Sequence, residues 1–247
     1  MADTSKIDFN KIPKHIAITM DGNGRWAKTQ GENRIYGHLN AITAVSETVE
    51  MAAEIGVEYL TLYAFSTENW NRPKEEVDAL MGLLVKTLKN EVKKLNDNQI
   101  KLATIGDTKS LPKETYDELM HTIGLTSQNT KMTVVIALSY SSKREIIEAV
   151  KQIAEEVKNN SISINDINEN IFSSHLTTAG IPDPDMLIRT SGEKRISNFL
   201  LWQIAYSELC FIDKLWPDFR KQDLVDAILD YQQRERRYGL TSEQISK

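Results

Sequence analysis

Three short stretches of the chain concentrate the groups that grip anions. The first is Asp21-Gly22-Asn23-Gly24-Arg25-Trp26. Its two glycines let backbone N–H groups approach an anion, Arg25 brings a fixed cationic fork, and Asp21 is placed to hold Mg²⁺. The spacing is neither that of a Walker A loop nor that of a dinucleotide fingerprint. A tight Asp-Gly/Asn-Gly turn accounts for the glycines equally well. The second stretch is Ser66-Thr67-Glu68-Asn69-Trp70-Asn71-Arg72-Pro73, where a capped helix entry explains the hydroxyls and amides but not Trp70 and Arg72. The third, Arg189-Thr190-Ser191-Gly192-Glu193-Lys194-Arg195-Ile196-Ser197, spaces two arginines and a serine in a way that suits a multi-oxygen anion such as a diphosphate. Its plain alternative is a solvated loop. Arg34 and His38 follow the first stretch, and Asp21 and Glu208 are the candidate acidic groups. Asp183-Pro184-Asp185 has the spacing of a metal-binding D-x-D, although a Pro-punctuated turn explains it too.

Each anion-gripping stretch follows an apolar, β-rich run, which is where ligands sit in open parallel sheets, beyond the carboxyl ends of strands. The runs are 15–20, 59–65, 100–105, 132–138, 186–188 and 209–212. Between them the patterning predicts helices over 40–55, 75–97, 112–127, 142–158 and 165–175, with a last one over 220–237. This alternation predicts an α/β fold with a mostly parallel sheet covered on both faces. The 75–97 segment is the clearest helix: Val77, Leu80, Met81, Leu84, Leu88, Val92 and Leu95 recur at steps of three and four, and Leu83 and Val85 widen the apolar face. An ordinary core helix explains that width, and so does the wall of an internal greasy cavity.

Composition narrows the classes. Hydrophobic residues make up 40 % and charged residues 26 % of 247, so disordered, collagen-like and coiled-coil architectures are excluded for most of the chain. A net charge of −5 argues against a general nucleic-acid binder, so the arginines at three strand ends stand out as local cation sites for an acidic small substrate. The single cysteine, Cys210, rules out an internal disulfide framework and fits a reducing cytoplasm. The opening Met1-Ala2-Asp3-Thr4-Ser5-Lys6-Ile7-Asp8 lacks the apolar core expected of a signal peptide, and no stretch approaches the roughly eighteen uninterrupted apolar residues needed to cross a bilayer. The expected organisation is one domain over 1–247, with 1–13 flexible and 238–247 a tail.

The same segments are similar to the cis-prenyltransferase family. The likeness is close in His15 to Lys28, in Leu60 to Leu84 and in Ile181 to Phe219, including Leu200-Leu201-Trp202-Gln203, Ala205-Tyr206-Ser207-Glu208-Leu209 and Leu215-Trp216-Pro217-Asp218-Phe219. The resemblance implies a six-stranded, mostly parallel sheet with an internal hydrophobic tunnel, in a cytoplasmic homodimer that meets the membrane at its product. It implies repeated condensation of isopentenyl diphosphate onto farnesyl diphosphate with Mg²⁺ as cofactor, giving a long cis-polyprenyl diphosphate for a cell-wall lipid carrier. In that picture Asp21 is the Mg²⁺-linked carboxylate and Glu208 helps place the metal. Gly22, Asn23, Gly24, Arg25, Trp26, Arg34 and His38 hold the allylic substrate, and Arg189, Arg195 and Ser197 hold isopentenyl diphosphate. Ser66, Glu68, Asn69, Trp70, Arg72 and Glu76 form the part that closes over the substrates, with Asn69, His38 or released diphosphate as proton acceptor. Arg237 belongs to a tail reaching toward the partner subunit's site. Each added isoprene unit buries five carbons, on the order of 3–4 kcal/mol before entropy costs, and Leu62, Ala64 and the 75–97 helix are the expected tunnel lining.

Two segments depart from the family pattern. Gly37-His38-Leu39-Asn40-Ala41 lacks a usual lysine and final glycine, and Ser139-Tyr140-Ser141-Ser142-Lys143 replaces a glycine-rich corner. Shorter-chain synthesis on the same scaffold and a non-catalytic isoprenoid-binding subunit are the alternative readings; retention of Asp21 and the arginines weighs against the second.

Overall fold

The computed structural model describes residues 2–239 and 241–245. Of the expected tail, Leu240, Ser246 and Lys247 lie outside the described residues, as does Met1 of the leading segment. Six strands form one sheet: β1 (His15–Thr19), β2 (Tyr59–Ser66), β3 (Ile100–Ile105), β4 (Met132–Tyr140), β5 (Met186–Arg189) and β6 (Glu208–Phe211). Their spatial order is β3-β4-β2-β1-β5-β6 and every pairing is parallel. β1 lies between β2 and β5, the point from which later strands are laid outward in both directions. Such a switch point opens a crevice at the strand carboxyl ends, and Asp21 lies just past the end of β1.

The central runs are continuous rather than alternating because helices or loops cover both faces, while the edge strands β3 and β6 are only partly covered. All five residues of β1 are buried. Ile16, Ile18, Leu60 and Leu62 point into the larger core, and Ala17, Val135, Ala137 and Leu187 into a smaller one with Phe199 and Leu200. Around the sheet lie α1 (Asn23–Thr29), α2 (Arg34–Ile55), α3 (Lys74–Asp97), α4 (Lys113–Thr126), α5 (Ser142–Lys158), α6 (Glu169–Ser174) and α7 (Lys221–Gln232), followed by a one-turn α8 (Ser242–Ile245). Of the α3 stripe, Val77, Met81, Leu88 and Leu95 are buried and Leu80, Leu84 and Val92 half-buried, while Val85 of the widened face is buried as well. Pro73 precedes its first turn, where Glu75 and Glu76 complement the helix dipole.

The differences from expectation are local. The first glycine stretch opens a helix, α1, rather than a loop. α2 starts at Arg34, six residues earlier than its apolar pattern, because Asn33 caps it by accepting the Tyr36 amide. The expected last helix stops at Gln232, after which Arg234 donates to Glu208 and Arg236 pairs with Asp185, drawing the chain back across the sheet. The segment before β1, expected to be flexible, makes contacts of its own: Ile7 is buried in the larger core, and Gln232 donates to the Asp8 carbonyl at 2.8 Å. Among the described residues no helix is long and apolar enough to cross a membrane.

Candidate active site

The β1–β5 register sets Thr19 opposite Arg189, bringing the first and third anion-gripping stretches side by side. Arg189 is nearly inaccessible, with 4 % of its side chain exposed, and its Nη2 donates to Asp21 Oδ2 at 2.8 Å. Its Nη1 donates to Ser197 Oγ at 2.8 Å and to the Arg195 carbonyl, leaving Nε buried without a partner. A buried guanidinium is tolerated only when so paired. Burial alone would raise the Asp21 carboxyl, but Arg189 and the Gly22 amide, 2.7 Å from Oδ1, more than offset it and hold Asp21 below the usual carboxylate range.

Two glycines set α1 against this rim. Gly22 has φ +112°, and a Cβ there would meet Leu215 at 2.9 Å. Gly37 of α2 lies so close to α1 that a Cβ would stand 2.0 Å from the Asn23 carbonyl oxygen. One residue on, His38 Nδ1 is 3.2 Å from Asn23 Nδ2, whereas His38 Nε2 and Asn23 Oδ1 are buried without partners. Burial first, then Arg72 and Arg34 against an opposing Glu76, push the His38 pKa down to about 4, so the ring is neutral at pH 7. With the Asn23 amide donating to Nδ1, the tautomer assigned to the ring carries its proton on Nε2 and offers a donor there.

The arginines are held apart by carboxylates. Glu76, itself buried, takes Arg34 at 3.3 Å and Arg72 at 3.1 Å. Glu193 takes Arg25 at 3.2 Å and also pairs with Arg195. After β2, Thr67–Asn71 forms a single 3₁₀ turn in which Asn69 Oδ1 accepts the Ser66 amide. Trp70 Nε1 donates to Ser139 Oγ at 2.9 Å, and Glu68 accepts from Asn198 at 2.8 Å. The departing corner is thus hydrogen-bonded into the site, with Ser139 at φ +47°.

Below the rim lies a cavity of about 450 Å³. Asp21, Asn23, His38, Ser66, Asn69, Arg72, Arg189, Arg195 and Ser197 surround its mouth. Its depth is apolar, walled by Ile42 and Val45 of α2, Leu80 and Leu84 of α3, and Leu62 and Ala64 of β2. A smaller cavity of about 80 Å³ shares Ile42, Val45, Leu62, Thr87 and Ile136 with it and continues toward the far ends of α2 and α3.

Several expected site residues stand elsewhere. Trp26 does not line the cavity; its ring stacks on Tyr36 and its Nε1 donates to Asp218 at 2.8 Å, because it occupies the outer side of α1. Glu208 pairs with Met186 in register, three residues before the Arg189 level, so within one chain it lies at the opposite end of the sheet from Asp21, bound to Arg234. Within one chain Asp21 and Glu208 therefore do not meet, and among the described residues no group of three or more His, Cys, Asp or Glu is arranged to hold a metal ion. Arg237 lies past α7, paired with Glu235. Asp185 accepts the Lys14 and His15 amides at 2.7 and 3.1 Å at the base of the sheet, which removes Asp183-Pro184-Asp185 from the metal candidates. Sequence reasoning missed the bridging roles of Glu76 and Glu193 and the close approach at Gly37.

The profile of the undecaprenyl diphosphate synthase family of prenyltransferases matches residues 19–239. An isoprenyl transferase of Porphyromonas gingivalis is 54 % identical, over 95 % of this chain and 92 % of that protein. A ditrans,polycis-undecaprenyl-diphosphate synthase, farnesyl-diphosphate specific, of Haemophilus influenzae is 53 % identical over 96 % and 99 %. Among solved structures, lavandulyl diphosphate synthase from Lavandula x intermedia, in complex with dimethylallyl diphosphate, superposes with a TM-score of 0.91 at 38 % identity, covering 93 % of this chain and 99 % of that one. On its site, its all-parallel sheet and these likenesses, the chain belongs to the undecaprenyl diphosphate synthase family of prenyltransferases.

Proposed function

We propose that this chain elongates farnesyl diphosphate with successive isopentenyl diphosphates, making a long cis-polyprenyl diphosphate and releasing diphosphate at each round. The observation that carries the reading is an arginine-rimmed mouth opening directly onto an apolar cavity. One substrate end needs cations and the other needs a dry wall, and few other ligands need both. Asn23, Arg34, Arg72 and His38 take the allylic diphosphate, while Arg189, Arg195 and Ser197 take isopentenyl diphosphate. The allylic C1–O bond breaks, a C–C bond forms to C4 of isopentenyl diphosphate, and a proton leaves its C2. Donors already fixed in place lower the cost of the charge that develops on the leaving oxygen. The neutral His38, read as a donor at Nε2, steadies that oxygen. This leaves Asn69, acting through a phosphate oxygen, or the released diphosphate to receive the proton.

Mg²⁺ fits these residues as a substrate-borne ion. Asp21 is the one carboxylate among the described lining residues and is ionised, and Mg²⁺ is commonly held by one or two carboxylates together with substrate phosphates. Asp21 would hold it, and its charge would stabilise the departing diphosphate. A homodimer, and contact with a lipid surface when product leaves, complete the reading. Light scattering tests the first, and turnover unchanged by detergent or vesicles refutes the second.

The deciding experiment incubates purified protein with farnesyl diphosphate, labelled isopentenyl diphosphate and Mg²⁺, followed by mass analysis of extracted lipid. Asp21→Ala is expected to abolish turnover with folding intact. Arg195→Ala is expected to raise KM for isopentenyl diphosphate far more than for farnesyl diphosphate. Absence of any elongated lipid from the wild type refutes the proposal.

A further inference from the structure

The apolar wall carries a charged cluster at its foot. From His38 at the mouth to Glu50 on α2 is twelve residues, about 18 Å of helix, and the parallel path along α3 runs from Leu80 to Lys94. At that foot Ser46, Glu50 and Lys94 join a lining that is otherwise mostly apolar, with Leu88, Leu95 and Ile100 beside them. Lys94 Nζ donates to Ser46 Oγ and pairs with Glu50. Lys221 at the start of α7 reaches the same carboxylate at 2.8 Å and Glu54 at 3.5 Å. Three helices are therefore tied together by charges across the end of the cavity. Burial alone would raise the Glu50 carboxyl, but Lys221 and Lys94 overcome it and keep it ionised.

A hydrocarbon end that advances down this path gains contact with each apolar residue until it meets the cluster. Beyond that point it must part charged groups from one another or strip them of water, neither of which hydrocarbon compensates. Resting on the chain-elongation reading above, we propose that the Glu50–Lys94–Lys221 cluster is a polar stop that sets the longest chain this protein accepts. The cluster touches no reacting atom. Its effect falls on product length rather than on the first condensation.

The test measures product-length distributions by mass analysis for wild type, Lys94→Met and the Glu50→Leu/Lys94→Leu pair, with farnesyl diphosphate primer and excess isopentenyl diphosphate. Lys93→Leu serves as control, because Lys93 is 86 % exposed and pairs outward with Asp97. Both cluster variants are expected to shift the most abundant product upward by at least one five-carbon unit, with the first-round rate within twofold of wild type and Lys93→Leu unchanged. Circular dichroism checks folding, and if the double variant fails to fold Lys94→Met alone decides. Wild-type lengths from a folded, active cluster variant overturn the inference while leaving the elongation reading standing. A wild type that elongates nothing overturns both.

Discussion

Replacing Gly37 by alanine adds one methyl group at the tightest contact between two site-bearing helices. The new carbon would stand 2.0 Å from the Asn23 carbonyl oxygen and 2.7 Å from its carbon, and ordinary contacts begin at 3.4 Å. To reach 3.4 Å, α1 and α2 must part by about 1.4 Å, since the obstacle is backbone that no rotamer change can move. The helix that gives way carries Asn23 and Gly24, and Gly24 itself has Arg34 against it. A misplacement of about 1 Å in a positioned group costs roughly 100-fold in rate. We therefore expect kcat/KM to fall about 100-fold, equivalent to about 2.7 kcal/mol of transition-state stabilisation. Stability should fall by about 1–3 kcal/mol from overpacking, offset by up to about 1 kcal/mol because alanine is the better helix former. The assay is steady-state incorporation of labelled isopentenyl diphosphate beside thermal unfolding. Gly82→Ala is the matched control: Gly82 lies in α3 with nothing within 4 Å of the added carbon, so it should gain about 0.8–1 kcal/mol and keep its rate. Wild-type kcat/KM and an unshifted Tm in Gly37→Ala would refute the claim that this contact positions the rim.

Other outcomes are equally direct. Ala64 lines the cavity beside Leu62, so Ala64→Leu should shorten products by obstructing the path; unchanged lengths by mass analysis would mean the growing chain does not pass it. His15, bonded to the Pro182 carbonyl and the Thr61 hydroxyl, has its pKa lowered to about 4 by burial, against opposing effects of Pro182 and Asp185. The unfolded chain therefore binds more protons between about pH 6.5 and 4, and stability should fall as pH drops through that window, by about 3 kcal/mol at pH 4 from this residue. Urea midpoints across that range should show a flatter slope in His15→Gln, and identical slopes would refute the assignment. Asp185→Asn should cost about 1–3 kcal/mol in stability, by weakening the base of the sheet, with kcat unchanged. A large loss of kcat in a stable variant would restore Asp185 as a site residue.

The six strands were legible because each contains a short apolar run; β1 and β5 are buried along their whole length, whereas the edge strands β3 and β6 are only partly covered. α1 was not: Asp21-Gly22-Asn23-Gly24 has the chemistry of a turn, and it becomes a helix entry because Gly22 takes a positive φ against Leu215. The three arginine-bearing stretches were legible as strand ends, and parallel topology does bring all three to one mouth. Sequence could not show that Glu76 and Glu193 each bridge to a second arginine, since Arg34–Glu76 and Arg25–Glu193 join residues distant in the chain, whereas Arg72–Glu76 and Glu193–Arg195 are local. Glu208 was placed with Asp21 by resemblance, but its strand register sets it at the other end of the sheet within one chain.

The Asp21–Arg189 pair joins residues 168 positions apart and depends on β5 finding β1. Contacts of such separation form slowly, and parallel pairings are among the last to be rewarded. A chain emerging from the ribosome, or refolding from urea, can build β1 to β4 and their helices long before the proposed diphosphate grip exists. Recovery of catalysis should therefore lag recovery of helical signal, making turnover a late reporter of folding and leaving half-made protein unable to hold substrate.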